Sequence, residues 1–145
     1  MARNEVTVVV DRPGRDLGKT FIIREMPAFV GEAWATRLLL HLAHSGMEIP
    51  TEVLGAGMAG LAVFGLKSLA GLKWEDARPL LDEMMTCVHI VPDPAKPTYT
   101  RPVTGQDDIE EILTIVNLRD KWFELHTGFS VAARFSGWME PPADL

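Results

Sequence analysis

The stretch from Val53 to Leu72 constrains the fold of this chain more than any other feature. Its twenty residues carry one charged side chain, Lys67, and five of them are glycine, at positions 55, 57, 60, 65 and 71. A helix that is apolar on all sides is buried in a protein core or in a lipid bilayer. No basic cluster flanks the stretch to set a membrane topology. We therefore expect a buried core helix from Pro50 to about Leu69.

The glycines of this segment need a physical reason, since each one inside a helix costs roughly 1 kcal/mol relative to alanine. Close approach of another backbone is one explanation, and a break in the helix near residues 55–57 is the other. A small membrane protein that spans residues 53–72 is the alternative to the buried helix.

Two short β-hairpins are expected, one before the first helix and one before the last. Residues 5–10 and 19–24 are rich in β-branched side chains, and the loop between them contains Pro13 and Gly14, a turn signal. A second, smaller hairpin is plausible from residues 88–91 and 98–100, which flank a proline-rich loop. An isolated hairpin is only marginally stable, so the first should pack against the helices.

Three further helices complete the predicted architecture. The first lies between Pro27 and Gly46, with Val30, Trp34, Leu38 and Leu42 on one stripe. A tight turn at residues 73–79 leads into the second, which Pro79 starts or kinks. The last begins near Asp107 or Asp108, because Asp108 and Glu111 resemble a capping box. Its apolar stripe is formed by Ile109, Ile112, Val116 and Phe123, with Leu113 and Trp122 as further candidates.

The predicted fold class is mainly α: about four helices with an N-terminal β-hairpin and a possible second short hairpin. Residues 1–145 should form one domain, with residues 138–145 as a poorly ordered tail. Fourteen basic residues stand against 20 acidic ones, a net charge of -6, and the basic residues are scattered. This charge argues against a nucleic-acid partner. A single cysteine, Cys87, and no secretory signal indicate a cytoplasmic protein without disulfides.

No catalytic or cofactor-binding motif is specific enough to predict an enzyme. Residues 14–20 come close to a phosphate-binding P-loop, but one residue is missing between the glycines and a strand follows where a helix is needed. His41 and His44 have a spacing that suits a metal, without a recognisable third ligand. Cys87 and His89 lack the orienting group of a nucleophilic site. The acids at 107–111 are interpreted as a helix cap, so no metal or cofactor is expected.

Four segments of the chain resemble the tail assembly chaperones of long-tailed bacteriophages and prophages. They are GKTFIIREMPA (18–28) followed by WATRLL (34–39), GMAGLA (57–62) followed by GLKWEDA (71–77), LLDEMM (80–85), and LRDKWFELHTGF (118–129). The resemblance implies a small, largely helical, non-enzymatic protein. It also implies that the chain coats the tape-measure protein, keeps it soluble, helps to recruit tail-tube subunits and associates as a homo-oligomer.

A chaperone of this kind should expose apolar surface to its client. The seven methionines and the Gly/Ala-rich helix are compatible with an adaptable protein-binding groove. The candidate protein-binding residues are Met58, Leu61, Phe64, Trp122, Phe129 and Trp138. The alternatives are another structural or regulatory phage interaction protein, a small membrane protein, and an enzyme with a site that the sequence does not reveal.

Overall fold

The computed structural model describes residues 3–46 and 71–127 of the chain. Within these two ranges it contains a four-stranded sheet and three helices. In chain order the elements are β1 (Glu5–Val9), β2 (Thr20–Arg24), α1 (Ala28–His44), α2 (Trp74–Met85), β3 (Val88–Val91), β4 (Arg101–Pro102) and α3 (Ile112–Thr127).

The sheet is antiparallel throughout, with the strand order β1-β2-β3-β4. Its register aligns apolar side chains in two rows, Val6–Ile23–Val88 and Val8–Phe21–Ile90. Because side chains alternate across a strand, both rows lie on one face of the sheet. Phe21 and Ile23 are fully buried in this face, and α3 contacts β1 and β2. Helix α3 therefore packs against one face of the sheet.

The predicted mainly α fold class is wrong, because the described part of the chain is an α+β mixture. The first predicted hairpin forms at the predicted residues, whereas the second forms with Arg101–Pro102 as its second strand instead of residues 98–100. The two hairpins are joined into one sheet by β2 and β3. These two strands pair antiparallel through Phe21↔Ile90 and Ile22↔His89. Local residue patterns cannot reveal a pairing between strands that are so far apart in sequence. This pairing joins the two hairpins into one four-stranded sheet.

Helix α1 confirms the sequence prediction at both ends. It begins directly after Pro27 and ends before Gly46, whose φ of 83° is a left-handed conformation that glycine adopts without steric cost. Trp34, Leu38 and Leu42 are buried, as the stripe predicted. Val30 is the exception, since 49% of its surface is exposed.

The core is organised around Trp34. Its indole lies 4.6 Å from the ring of Trp122 and 5.9 Å from that of Phe123, centroid to centroid. The indole N–H donates a 3.0 Å hydrogen bond to the carbonyl oxygen of Leu80. Trp34 thus links α1 to both α2 and α3, and all four of these side chains are buried.

Helix α2 begins earlier than predicted. The segment interpreted as a tight turn is helical from Trp74, and Pro79 lies inside the helix instead of starting it. Glu75 and Asp76 occupy the first turn, where the helix dipole favours carboxylates. The proline at the sixth position cannot donate a backbone hydrogen bond to the preceding turn.

Two predicted elements lie outside the described residues, namely the glycine-rich helix and the tail at residues 138–145. The candidate binding residues Met58, Leu61, Phe64, Phe129 and Trp138 also lie outside them. None of the helices in residues 3–46 and 71–127 is long and apolar enough to cross a membrane.

Candidate functional site

The β1–β2 loop is docked onto the start of α3 through a buried carboxylate. Asp16 is completely buried, and its carboxylate accepts the backbone N–H groups of Glu110 and Glu111, each at 2.9 Å. It also accepts the hydroxyl of Thr114 at 2.7 Å. In return, the Glu111 carboxylate accepts the Asp16 N–H at 3.2 Å. We call Asp16, Lys19, Glu110, Glu111 and Thr114 the loop–helix junction; it acts as a helix cap supplied from a distant part of the chain.

Lys19 adds the positive charge of the junction. Its ammonium group lies 2.9 Å from the Asp16 carboxylate and donates to the carbonyl oxygen of Asp107 at 2.8 Å. Burial on its own raises the pKa of Asp16. The hydrogen bonds from Glu110, Thr114, Lys19 and Glu111 outweigh that effect and hold the pKa at about 2.

Gly14 is required by the same junction. Its φ is 149°, and a Cβ at this position would collide with the carboxylate of Glu111. Only glycine combines this backbone conformation with room for that side chain. The glycine-containing loop that resembles a P-loop is therefore fully accounted for by packing against α3, and the Lys19 ammonium is held by Asp16 and backbone oxygens.

The predicted start of the last helix is wrong. Helix α3 begins at Ile112, and Asp108 does not cap it. Instead Arg101 binds the Asp108 carboxylate through two hydrogen bonds of 2.8 and 2.7 Å. Asp108 also accepts the N–H groups of Thr104 and Gly105. The Arg101 guanidinium holds the pKa of Asp108 well below its usual range. The pairing of Asp108 with Arg101, a partly exposed residue outside the helix, thus replaces the predicted local capping box.

Helix α3 exposes aliphatic side chains at its N-terminal end. Ile112 is 80% exposed, Leu113 57% and Val116 38%. Their spacing places them on one side of the helix, opposite the buried Leu118. The prediction that Ile112, Leu113 and Val116 belong to a buried stripe is therefore wrong, whereas Trp122 and Phe123 of that stripe are buried. We call Ile112, Leu113 and Val116 the α3 apolar face.

A groove of about 610 Å³ opens beside the first turns of α1. Its apolar wall includes Phe29, which is 91% exposed, and Val30. Its charged lining side chains are Arg3, Arg24, Arg37, Glu25 and Glu83. Cys87 and His89 also line it, and no residue of α3 does. We call this feature the α1 groove.

The remaining chemical candidates are placed as structural residues. Cys87 is buried, and burial raises the pKa of its thiol, which disfavours the nucleophilic thiolate. His41 lies 3.7 Å from the carboxylate of Asp76, while His44 is exposed. Among the described residues, no group of three His, Cys, Asp or Glu side chains could hold a metal ion.

Trp122 is the one candidate binding residue within the described ranges. It is completely buried between Trp34, Phe123 and His126, so its side chain is part of the core and offers no surface to a partner. The residues that sequence reasoning missed are Phe29 on the surface and Asp16 in the junction, and it assigned the exposed Ile112, Leu113 and Val116 to a buried stripe. Phe29 could have been found, because it occupies the first turn of a predicted amphipathic helix outside the apolar stripe.

His126 joins the C-terminal part of α3 to the start of α1. Its Nε2 accepts the N–H of Met26 at 2.9 Å, so its Nδ1 carries the proton and donates to the Trp122 carbonyl at 2.8 Å. Burial lowers the pKa of His126, outweighing the opposite effects of the Trp122 carbonyl and of Glu25. A protonated imidazole would have no lone pair for Met26.

This geometry predicts that the protein loses stability in mild acid. The unfolded chain binds a proton at histidine near pH 6.5, before folded His126 does, so the unfolding free energy should fall as the pH drops below about 6.5. In His126→Gln that part of the pH dependence should disappear, whereas the exposed His44→Gln should retain it. Urea unfolding midpoints at pH 7.5, 6.5 and 5.5 measure the effect. Equal slopes in all three proteins would contradict it.

Comparison with protein-family models, curated proteins and solved structures finds no match to this chain. The functional interpretation therefore depends on the two exposed apolar surfaces, the α3 apolar face and the α1 groove. Both surfaces consist of side chains that the described fold leaves exposed. The α3 apolar face lies on helix α3, and the α1 groove lies beside helix α1.

Proposed function

We propose that this chain is a non-catalytic chaperone that binds an apolar, helical protein client during assembly of a long bacteriophage tail. The observation that carries the proposal is the exposed α3 apolar face. Isoleucine and valine form helices less readily than alanine or leucine, so local helix stability does not explain Ile112 and Val116 at exposed positions. Burial against a partner does explain them.

The client in this proposal is the tape-measure protein, to which the chaperone would also help recruit tail-tube subunits. Support comes from the four segments that resemble tail assembly chaperones. The setting would be the cytoplasm of the bacterial host, with several copies of the chain around each client. The mechanism is reversible burial of apolar client surface. The net charge of -6 would keep the complexes dispersed by mutual repulsion.

The loop–helix junction supports this mechanism because it fixes the start of α3. Ile112 and Leu113 lie directly after Glu110 and Glu111, whose backbone N–H groups are bound by the buried Asp16. A surface that is ordered before binding does not lose conformational entropy when the client arrives. The face is therefore suited to bind without prior rearrangement.

The direct test is co-expression of this protein with the tape-measure protein from its own genome neighbourhood. The soluble fraction is then separated by size exclusion with light scattering. The proposal expects the otherwise insoluble client to become soluble and to elute together with several copies of this chain. A client that still aggregates while this protein elutes alone would overturn the assignment to tape-measure binding.

Substitution of the α3 apolar face tests whether it is the surface responsible. Each buried aliphatic side chain contributes about 1 kcal/mol or more, so Ile112→Gln, Leu113→Gln and Val116→Gln together should weaken client binding roughly a hundredfold. The matched control is Leu40→Gln on α1, since Leu40 is 55% exposed and Leu113 57%. The control should bind like the unaltered protein. Equal binding by the triple variant would show that another surface holds the client.

A further inference from the structure

Strand β1 is an edge of the sheet, and among the described residues it is paired on one side only, with β2. On the β2 side, the backbone of Asn4 accepts a 2.9 Å hydrogen bond and that of Val10 donates one of the same length. Backbone groups alternate in direction along a strand, so those of Glu5, Thr7 and Val9 point away from β2. Each of these three residues therefore directs one N–H and one C=O group towards the open edge.

This edge lacks the features that protect sheet edges from further pairing. Such edges are usually very short or carry proline, lysine or a bulge. Strand β1 is five residues long, with the sequence EVTVV, and its register with β2 is unbroken. The opposite edge strand, β4, has only two residues and ends in Pro102. Glu5 and Thr7 are exposed, and Val9 is 57% exposed. The edge at β1 is thus accessible to another strand.

The sequence of β1 is complementary to itself in an antiparallel register. When two copies are centred on Thr7, that residue lies opposite its own equivalent, Glu5 lies opposite Val9, and Val6 lies opposite Val8. The residues with outward-pointing backbone groups then pair with one another, so each outward N–H group meets a C=O group of the second copy. Val6 and Val8 lie on the core-facing side of the sheet, and this pairing continues their apolar row into the second copy.

The same register also matches charges beyond the ends of the strand. It brings Arg3 opposite Asp11 of the second copy, on the same side of the sheet as Thr7, and symmetry repeats this contact. Both residues are exposed, and neither forms an ion pair with another described residue. The two copies of Glu5 are about 14 Å apart, farther than the screening length of about 10 Å. Opposite charges therefore meet while like charges stay apart, which favours a second copy of this chain as the occupant.

We propose that β1 is an interface at which two copies of this chain pair antiparallel about a twofold axis at Thr7 and join their sheets into one. The outward backbone groups supply the hydrogen bonds. The contact between Arg3 and Asp11 selects the register, because an exposed ion pair adds little free energy but disfavours a shifted alignment. This interface is separate from the α3 apolar face, and it forms whether or not that face binds a tape-measure protein.

The first experiment uses the full chain alone, without any client. Sedimentation velocity over a range of concentrations should show a dimer. Thr7→Pro should weaken the dimer about thirtyfold, because it removes the two hydrogen bonds at the twofold axis. Proline is tolerated in an edge strand where its N–H would face outward, so the fold should persist, as circular dichroism can verify. The matched control is Thr7→Val, which keeps the N–H and the β-branched side chain and should dimerise like the unaltered chain.

Cysteine cross-linking tests the register directly. Thr7→Cys places two thiols across the twofold axis with a Cα–Cα distance of about 5.5 Å, which a disulfide can span. Glu5→Cys places its two thiols about 14 Å apart, so it should not cross-link. The unaltered chain, with only the buried Cys87, gives the background. This measurement also decides the question if Thr7→Pro does not fold.

Exchange of the two charges completes the test. Arg3→Asp should weaken the dimer roughly tenfold, because it places like charges opposite each other at two positions. Adding Asp11→Arg to this variant should restore dimerisation. A chain that is still monomeric at about 1 mM, or equal dimerisation of Thr7→Pro and Thr7→Val, would overturn the proposal. So would cross-linking of Glu5→Cys as readily as Thr7→Cys, or a double charge variant no better than Arg3→Asp.

Discussion

Replacing Trp34 by alanine should lower the free energy of unfolding by about 3–5 kcal/mol, the cost of removing a fully buried tryptophan. The indole packs against Trp122 at 4.6 Å and against Phe123 at 5.9 Å, so truncation leaves a cavity where α1 meets α3. The change also removes the donor to the Leu80 carbonyl, which leaves a buried acceptor without a partner. Both losses act at the place where the three described helices meet.

Trp74→Ala is the matched control, because Trp74 is 62% exposed on α2 and contacts the guanidinium of Arg78. A surface substitution of this kind should change stability by no more than about 0.5 kcal/mol. Urea unfolding followed by circular dichroism measures both variants against the unaltered protein. If the two variants unfold at the same urea concentration, Trp34 is not the centre of the core.

Replacing Asp16 by alanine should be the second largest perturbation, at about 2–4 kcal/mol. The substitution removes the acceptor for the N–H groups of Glu110 and Glu111 and for the Thr114 hydroxyl, and it leaves Lys19 without its closest carboxylate. The start of α3 should lose order first. Hydrogen exchange at residues 110–114 should therefore increase more than exchange in β1 and β2.

Asp11→Ala is the control for this prediction, because Asp11 is an exposed aspartate in the same loop. The pH dependence gives a second measurement. The pKa of Asp16 is about 2 in the folded protein, against an ordinary value of 3.8, so its stabilising effect is present above about pH 4 and is lost as the pH falls towards 2. Asp16→Asn should lack this acid-dependent loss. Equal stability of the Asp11 and Asp16 variants at pH 7 would contradict the capping role.

If Asp16→Ala frees the start of α3 without unfolding the domain, client binding should weaken. The reason is that Ile112 and Leu113 directly follow Glu110 and Glu111, whose backbone N–H groups Asp16 binds.

Sequence reasoning was most successful where local interactions determine the structure. Pro27 and Gly46 limit α1 to the predicted helix, and its buried stripe of Trp34, Leu38 and Leu42 follows from helical spacing alone. The first hairpin was equally predictable, since β-branched strands and a Pro-Gly loop are local features. These elements need no distant partner to be recognised.

The same reasoning was wrong where a group with a locally predicted role is bound by residues outside that local motif. Asp108 has the spacing of a helix cap, but Arg101 and the Thr104–Gly105 turn bind its carboxylate more strongly. The role of cap then falls to Asp16, nearly one hundred residues away along the chain. Sequence periodicity also could not tell which part of the α3 stripe is buried, because Ile112 and Phe123 lie on the same side of the helix and only Phe123 is covered by the fold. Of the candidate binding residues only Trp122 lies among the described residues, and it is part of the core; the exposed side chains on α3 are Ile112, Leu113 and Val116.

The sequence by itself determined the local elements, namely α1 with both of its ends, the first hairpin and the first strand of the second, together with the net acidic charge. Only the tertiary structure decided that β2 pairs with β3 to give one sheet, that Asp16 caps α3, and that the α3 apolar face and the α1 groove are exposed. The physical reason is the range of the interactions. Helix ends and turns depend on neighbours within a few residues, whereas strand pairing, buried ion pairs and exposed surfaces depend on groups that only folding brings together.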